Sequence, residues 1–110
     1  MKILFDQGTP APLGEFLVGH SVETAYERGW SALSNGELLA AAETFLFDVL
    51  ITTDQSLRDQ QDLSDRQLAV LVLPTTRWPQ IHQHVAEVAR AVASVRRGEY
   101  RELNWSANQS

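Results

Sequence analysis

The chain contains no cysteine, so disulfides and thiolate-held metals are excluded and nothing in it argues for an oxidising compartment. It has one lysine, Lys2, the remaining basic residues being arginines. No apolar run approaches the ~20 residues needed to span a bilayer. The first residues enter a strand pattern with no signal-peptide pattern before it, and the expected location is cytoplasmic. Net charge is -5, which does not favour a nucleic-acid partner held through Lys and Arg alone. Repeats, linkers and low-complexity segments are likewise lacking. What is present is ordinary globular material: 110 residues with a 44% hydrophobic share, enough for one core without staples.

Two continuous apolar runs dominate. Val49 to Thr53 and Leu68 to Leu73 show no polar alternation, the pattern of strands buried on both faces of a parallel sheet. Lys2-Ile3-Leu4-Phe5 reads as a first strand, Ser21 to Thr24 as a second, and Glu99 to Leu103 as an alternating edge strand. Between them lie helical signals. Thr9-Pro10 has the form of an N-cap and first helical residue, with Leu13, Phe16 and Leu17 on one face and Gly19 as the stop. Residues 25–28 suit one helical turn closed by Gly29. Ser34 to Glu37 opens a helix whose apolar stripe is Leu38, Ala42 and Phe45, widened by Leu39 and Leu46. A short helix is expected over 55–61.

A longer helix is expected over 79–96, because Ile81, Val85, Val88, Val92 and Val95 step by four and three residues. Pro79 starts it and Gly98 ends it. The order β-α-β-α-β-α-β-α-β predicts a three-layer α/β domain over 1–103, with a mostly parallel central sheet of four or five strands. Residues 104–110 are expected to be a frayed tail.

Strands ending in acids draw attention to Asp6 and Asp54, since ligands of open α/β sheets gather outside the carboxyl ends of the strands. Glu37 opens the helix that leads into the strand before Asp54. Each has a structural explanation: Asp6 as a turn aspartate, Glu37 as the reciprocal partner of Ser34 in a capping box, and Asp54 as an N-cap. Taken together, three carboxylates at one sheet edge repel unless a hard cation neutralises them. Magnesium takes one or two carboxylates and keeps several waters. Such water-rich sites suit in-line attack on phosphodiesters.

Asp6-Gln7-Gly8-Thr9-Pro10, Gly29-Trp30, Ser34-Asn35-Gly36-Glu37-Leu38-Leu39, Thr52-Thr53-Asp54 and Arg77-Trp78-Pro79 resemble, in order and spacing, the small prokaryotic PIN-like domains. The resemblance runs over residues 1 to about 103. These domains are often encoded beside a presumed antitoxin, and the wider superfamily comprises metal-dependent ribonucleases. The resemblance therefore implies a PIN-like fold and an Mg²⁺- or Mn²⁺-dependent endoribonuclease, the toxin of a toxin-antitoxin pair. It places Asp6, Glu37 and Asp54 as catalytic metal ligands, with RNA as substrate, an antitoxin as protein partner and a homodimer as the assembly. Two positions depart from the pattern. Gly8 stands where relatives often have asparagine. A fourth acid, usual in PIN nucleases, has only Asp59 and Asp62 as candidates.

The remaining chemistry-bearing residues have ordinary readings. His82 and His84 are two apart on an expected helix and point to different faces, so they cannot chelate one ion. His20 is isolated. Trp30, Trp78 and Trp105 could stack bases, but Trp78 beside Pro79 suits a staple at the helix start and Trp30 a core anchor. Arg58, Arg66 and Arg77 follow strand ends and could face the acids and hold phosphates, or lie on solvated surface. Two other function classes stay open. One is a catalytically inactive PIN-like binding module acting through a partner, which the charge and the incomplete acid set favour. The other is a phospho-acceptor receiver domain, which lacks support here because Asp6 stands alone and no lysine follows the last strand.

Overall fold

The computed structural model describes residues 1–60, 63 and 66–105. Five strands form one sheet: β1 (Lys2–Phe5), β2 (Ser21–Thr24), β3 (Val49–Thr52), β4 (Ala69–Val72) and β5 (Tyr100–Glu102). Every pairing is parallel, and the spatial order is β2-β1-β3-β4-β5. Registers are continuous across the sheet, with Phe5 lying between Thr24 and Ile51, and Leu71 between Ile51 and Arg101. The α/β expectation is met, and all five strands are parallel.

The β3 and β4 residues are buried without exception, which is why their sequences do not alternate. Helical segments cover both faces. On one side Ile3, Phe5, Val49, Ile51 and Leu71 pack against Leu13 and Leu17 of the segment after β1, and against Ile81, Val88 and Val92. On the other, Leu4, Leu50, Val70 and Val72 pack against Leu38, Leu39 and Ala42 of α1 (Asn35–Thr44) and Leu57 of α2 (Leu57–Gln60). No helix among the described residues is long and apolar enough to cross a membrane.

Several expectations need correction. The segment after β1 is a 3-10 helix over Ala11–Phe16, begun at Pro10; Thr9 does not cap it, because its hydroxyl is used elsewhere. The α1 stripe ends at Ala42. Phe45 is half exposed, and Leu46 is 78% exposed with a left-handed φ of 63°. The expected 79–96 helix is two helices, α3 (Trp78–His82) and α4 (Val85–Ser94). The break at Gln83 and His84 keeps Ile81, Val88 and Val92 buried in one seam, with Val85 and Val95 packed beside it. His84 leaves helical geometry (φ -124°, ψ 21°), and its ring lies flat on Trp105 at 4.7 Å. Trp105 is therefore core and not tail: it is 4% exposed and belongs to the α4-side cluster. The rest of the expected tail, from residue 106, lies outside the described residues.

Candidate functional site

A sheet ordered 2-1-3-4-5 reverses its winding between the first and third strands, and the crevice at that point is the standard ligand position of such sheets. Asp6 leaves β1 there, its amide bonded to the Ile51 carbonyl of β3 at 3.1 Å. Two buried threonines fix its carboxylate. The Thr9 hydroxyl donates to Oδ1 at 2.7 Å, and the Thr52 hydroxyl donates to Oδ2. Thr9 is 5% exposed and Thr52 1%. A buried hydroxyl without a partner is costly, so these two side chains and Asp6 constrain one another.

Thr52 also joins the two acids. Its oxygen accepts the Asp54 amide at 3.0 Å while its proton goes to Asp6. Asp54 then turns its carboxylate onto the start of the following segment: Oδ1 accepts the Ser56 amide at 2.9 Å and the Ser56 hydroxyl at 2.7 Å. Oδ2 accepts the Asn35 side-chain amide at 2.8 Å. Asn35 reaches on to Gln60, and Gln60 returns to the Ser56 hydroxyl, closing a ring of polar side chains around Asp54. The N-terminus of α1 is thereby tied over the end of β3.

Glu37 is held differently. Ser34 and Glu37 form the expected capping box, the Ser34 amide donating to Glu37 Oε1 at 2.9 Å and the Glu37 amide to the Ser34 hydroxyl at 3.3 Å. The site thus brings Asp6 and Asp54 together through Thr52, while Glu37 is occupied at the helix end. Asp59 lies exposed on α2, and Asp62 is outside the described residues.

Mutual repulsion of clustered acids would push a carboxyl upward; at Asp54 and Glu37 the shift runs the other way. Donation from the Ser56 hydroxyl and amide holds Asp54 below the usual aspartate range, burial opposing and Asn35 assisting. The Ser34 amide, then its hydroxyl, does the same for Glu37. Hydrogen bonds to the charged form outweigh the cost of burial at these two groups.

Gly8 has a local reason. A Cβ there would come within 2.6 Å of the Thr53 hydroxyl, so the loop after Asp6 passes too close to the residue following β3 for a side chain unless Thr53 shifts. Beside Asp6 opens a cavity of about 1020 Å³ running along edge strand β2, lined in part by Glu15, Thr24 and Glu27. Neither lysine nor arginine among the described residues lines it. The candidate arginines are placed elsewhere. Arg58 lies over the Tyr100 ring, whose hydroxyl donates to Glu102 and is pushed up to about 12 by burial and by that carboxylate. Arg66 pairs with Glu43 at 2.6 Å, and Arg77 is exposed before α3.

No family model, curated protein or solved structure matches this chain. The site is therefore read from its own chemistry. Sequence reasoning found Asp6 and Asp54 but missed Thr9, Thr52 and Asn35. The available signal was polar residues at a strand end between two acids, in Thr52-Thr53-Asp54.

Proposed function

We propose that the rim formed by Asp6 and Asp54 binds a divalent cation, and that the protein is a PIN-like, metal-dependent ribonuclease. The observation that carries this reading is that the buried Thr52 hydroxyl bonds both the Asp6 carboxylate and the Asp54 amide, setting the two acids side by side at the winding reversal of a parallel sheet. The donor set suits magnesium or manganese. A carboxylate offers about four lone-pair positions. Asp6 spends two on Thr9 and Thr52, and Asp54 spends three on Ser56 and Asn35. About three hard oxygen positions remain toward described residues, which suits an ion that keeps most of its waters. When bound, such an ion supplies an activated water and neutralises charge on a phosphodiester.

The chain's own residues supply the rest. Thr9 and Thr52 orient Asp6, while Ser56 and Asn35 orient Asp54. In this reading Glu37 serves the site by fixing the α1 end that carries Asn35. Because neither lysine nor arginine among the described residues lines the adjoining cavity, RNA phosphate would depend on the cation for neutralisation. The toxin role, with an antitoxin as partner and a homodimer as the assembly, belongs to the same proposal.

A second reading is favoured by one feature: the hydrogen bonds of Asp54 and Glu37 already stabilise both charges without any ion. That suits a PIN-like binding module with a structurally settled rim. Incubating a mixed RNA pool with highly purified protein and Mn²⁺, beside an Asp6→Asn/Asp54→Asn control, separates the two. Cleavage by wild type alone supports the nuclease. Equal cleavage by both proteins, or none by either, favours the module.

A further inference from the structure

At the opposite end of the sheet, the N-terminal ends of the strands carry a second groove, of about 420 Å³, bordered by Met1, Leu46, Phe47, Val95, Arg96 and Arg97. We infer that this groove is a docking surface for an acidic segment of a partner protein, one that seats an apolar side chain against Leu46 and a carboxylate against Arg96 and Arg97.

Leu46 is the first reason. Helix α1 ends in a paired-bond turn, the Leu46 amide bonding to the Glu43 carbonyl at 3.1 Å and the Phe47 amide to that of Ala42 at 2.9 Å. The left-handed residue of such a turn is usually glycine, because a Cβ is penalised there. Here it is leucine, the only non-glycine residue with positive φ among those described. Its side chain is 78% exposed, so it gains little packing within this chain to offset the strain. Met1 and Phe45 beside it are also partly exposed, at 43% and 47%. A strained, solvent-facing leucine in a groove is explained by a contact outside the chain.

Charge is the second reason. In a chain of net charge -5, this end gathers Lys2, Arg66, Arg96 and Arg97 around three acids, Glu43, Asp48 and Glu99. All three acids are engaged, Glu43 by Arg66 and the Gln67 amide, Asp48 by the Lys2 amide, and Glu99 by Arg101 and the Arg96 amide. Lys2 caps the Phe45 carbonyl at 2.6 Å. Arg96 and Arg97 are exposed and their guanidiniums form no ion pair among the described residues; the Arg96 amide donates to Glu99 at 2.9 Å, while its guanidinium reaches that carboxylate only through space. Two uncommitted guanidiniums beside an apolar step suit a carboxylate-bearing peptide. The apolar step disfavours a nucleic-acid strand, and the groove lies at the far end of the strands from Asp6 and Asp54.

The test is a selection of displayed random short peptides on the full-length chain, followed by anisotropy titration of the selected peptides as synthetic probes. Enriched sequences should place Asp or Glu beside a Leu, Ile, Met or Phe. Their affinity should fall by about tenfold or more for Leu46→Gly and for Arg96→Glu/Arg97→Glu. Leu46→Gly should melt no lower than wild type, so lost binding cannot be blamed on misfolding. Four outcomes overturn the inference: no enrichment; enrichment without acids; peptides that bind both variants as wild type; and a single-stranded RNA probe that binds here and is lost with the arginine pair. Self-association in sedimentation that disappears with Leu46→Gly would make the occupant a second copy, and overturns it as well.

Discussion

The two ends of this sheet are built from the same strands and have opposite characters. The end bearing Asp6 and Asp54 is acidic and polar, with Asp6 held by buried hydroxyls. The end bearing Leu46, Arg96 and Arg97 is basic and partly apolar. Part of the contrast follows from topology. In a parallel α/β layer the helices run opposite to the strands, so their N-termini meet the strand C-termini and favour acids there, while basic groups suit the other end. Ser34 with Glu37 at the start of α1, and Lys2 on the Phe45 carbonyl at its end, show that pattern. Asp6, which lies beyond any helix start, and Leu46, which no cap requires, are what the pattern leaves over. Those are the residues on which function is proposed.

The largest expected effect removes what both ends share. Phe5 is fully buried between the layers, and its strand delivers Asp6. Phe5→Ala should cost about 3–5 kcal/mol in chemical denaturation and erase metal and peptide binding together. Thr52→Val should act on one end alone. It leaves one Asp6 oxygen and the Asp54 amide without a partner, costing about 1–3 kcal/mol. Thr52→Ser should restore most of that loss, and neither variant should alter peptide affinity at the other groove. Cutting the cap with Ser34→Ala should cost about 0.5–2 kcal/mol and loosen Asn35 over Asp54.

A smaller effect concerns pH. Asp54 in the folded chain titrates below the 3.8 of an ordinary aspartate, so its stabilisation is fully present above that value and is lost as pH falls through the lowered one. Denaturation of wild type and Asp54→Asn between about pH 6, above the ordinary carboxylate range, and about pH 2, below it, should show the wild-type advantage shrinking only in the acid limb. At the other end, Leu46→Gly should stabilise the chain by up to about 1 kcal/mol by relieving the left-handed leucine.

These residues also show where the sequence is informative. β3 and β4 were legible because strands buried on both faces must be apolar throughout, and the Ser34-x-x-Glu37 box because its chemistry is local. The break between α3 and α4 was not legible. An apolar seam records which side of the chain is buried, and a two-residue interruption at Gln83 and His84 leaves that side unchanged. Trp105 looked like a stray aromatic in a polar tail because its partner, His84, is distant in sequence. Asp6 and Asp54 could be placed on one rim because each follows a strand of a parallel sheet. Their link through Thr52, and the strand order 2-1-3-4-5 that creates the crevice, depend on pairings that no local pattern encodes.

The most direct test of the acidic end is a set of thermal melts of wild type, Asp6→Asn and Asp54→Asn, each with and without millimolar Mn²⁺ at neutral pH. If the two carboxylates share an ion, wild type should gain stability by mass action, about 2.7 kcal/mol when the ion stands at a hundredfold excess over its Kd, and melt several degrees higher. Asp6→Asn should abolish the gain and Asp54→Asn should reduce it. A wild-type melting temperature that Mn²⁺ does not move, or a shift that both variants retain, would contradict the shared site.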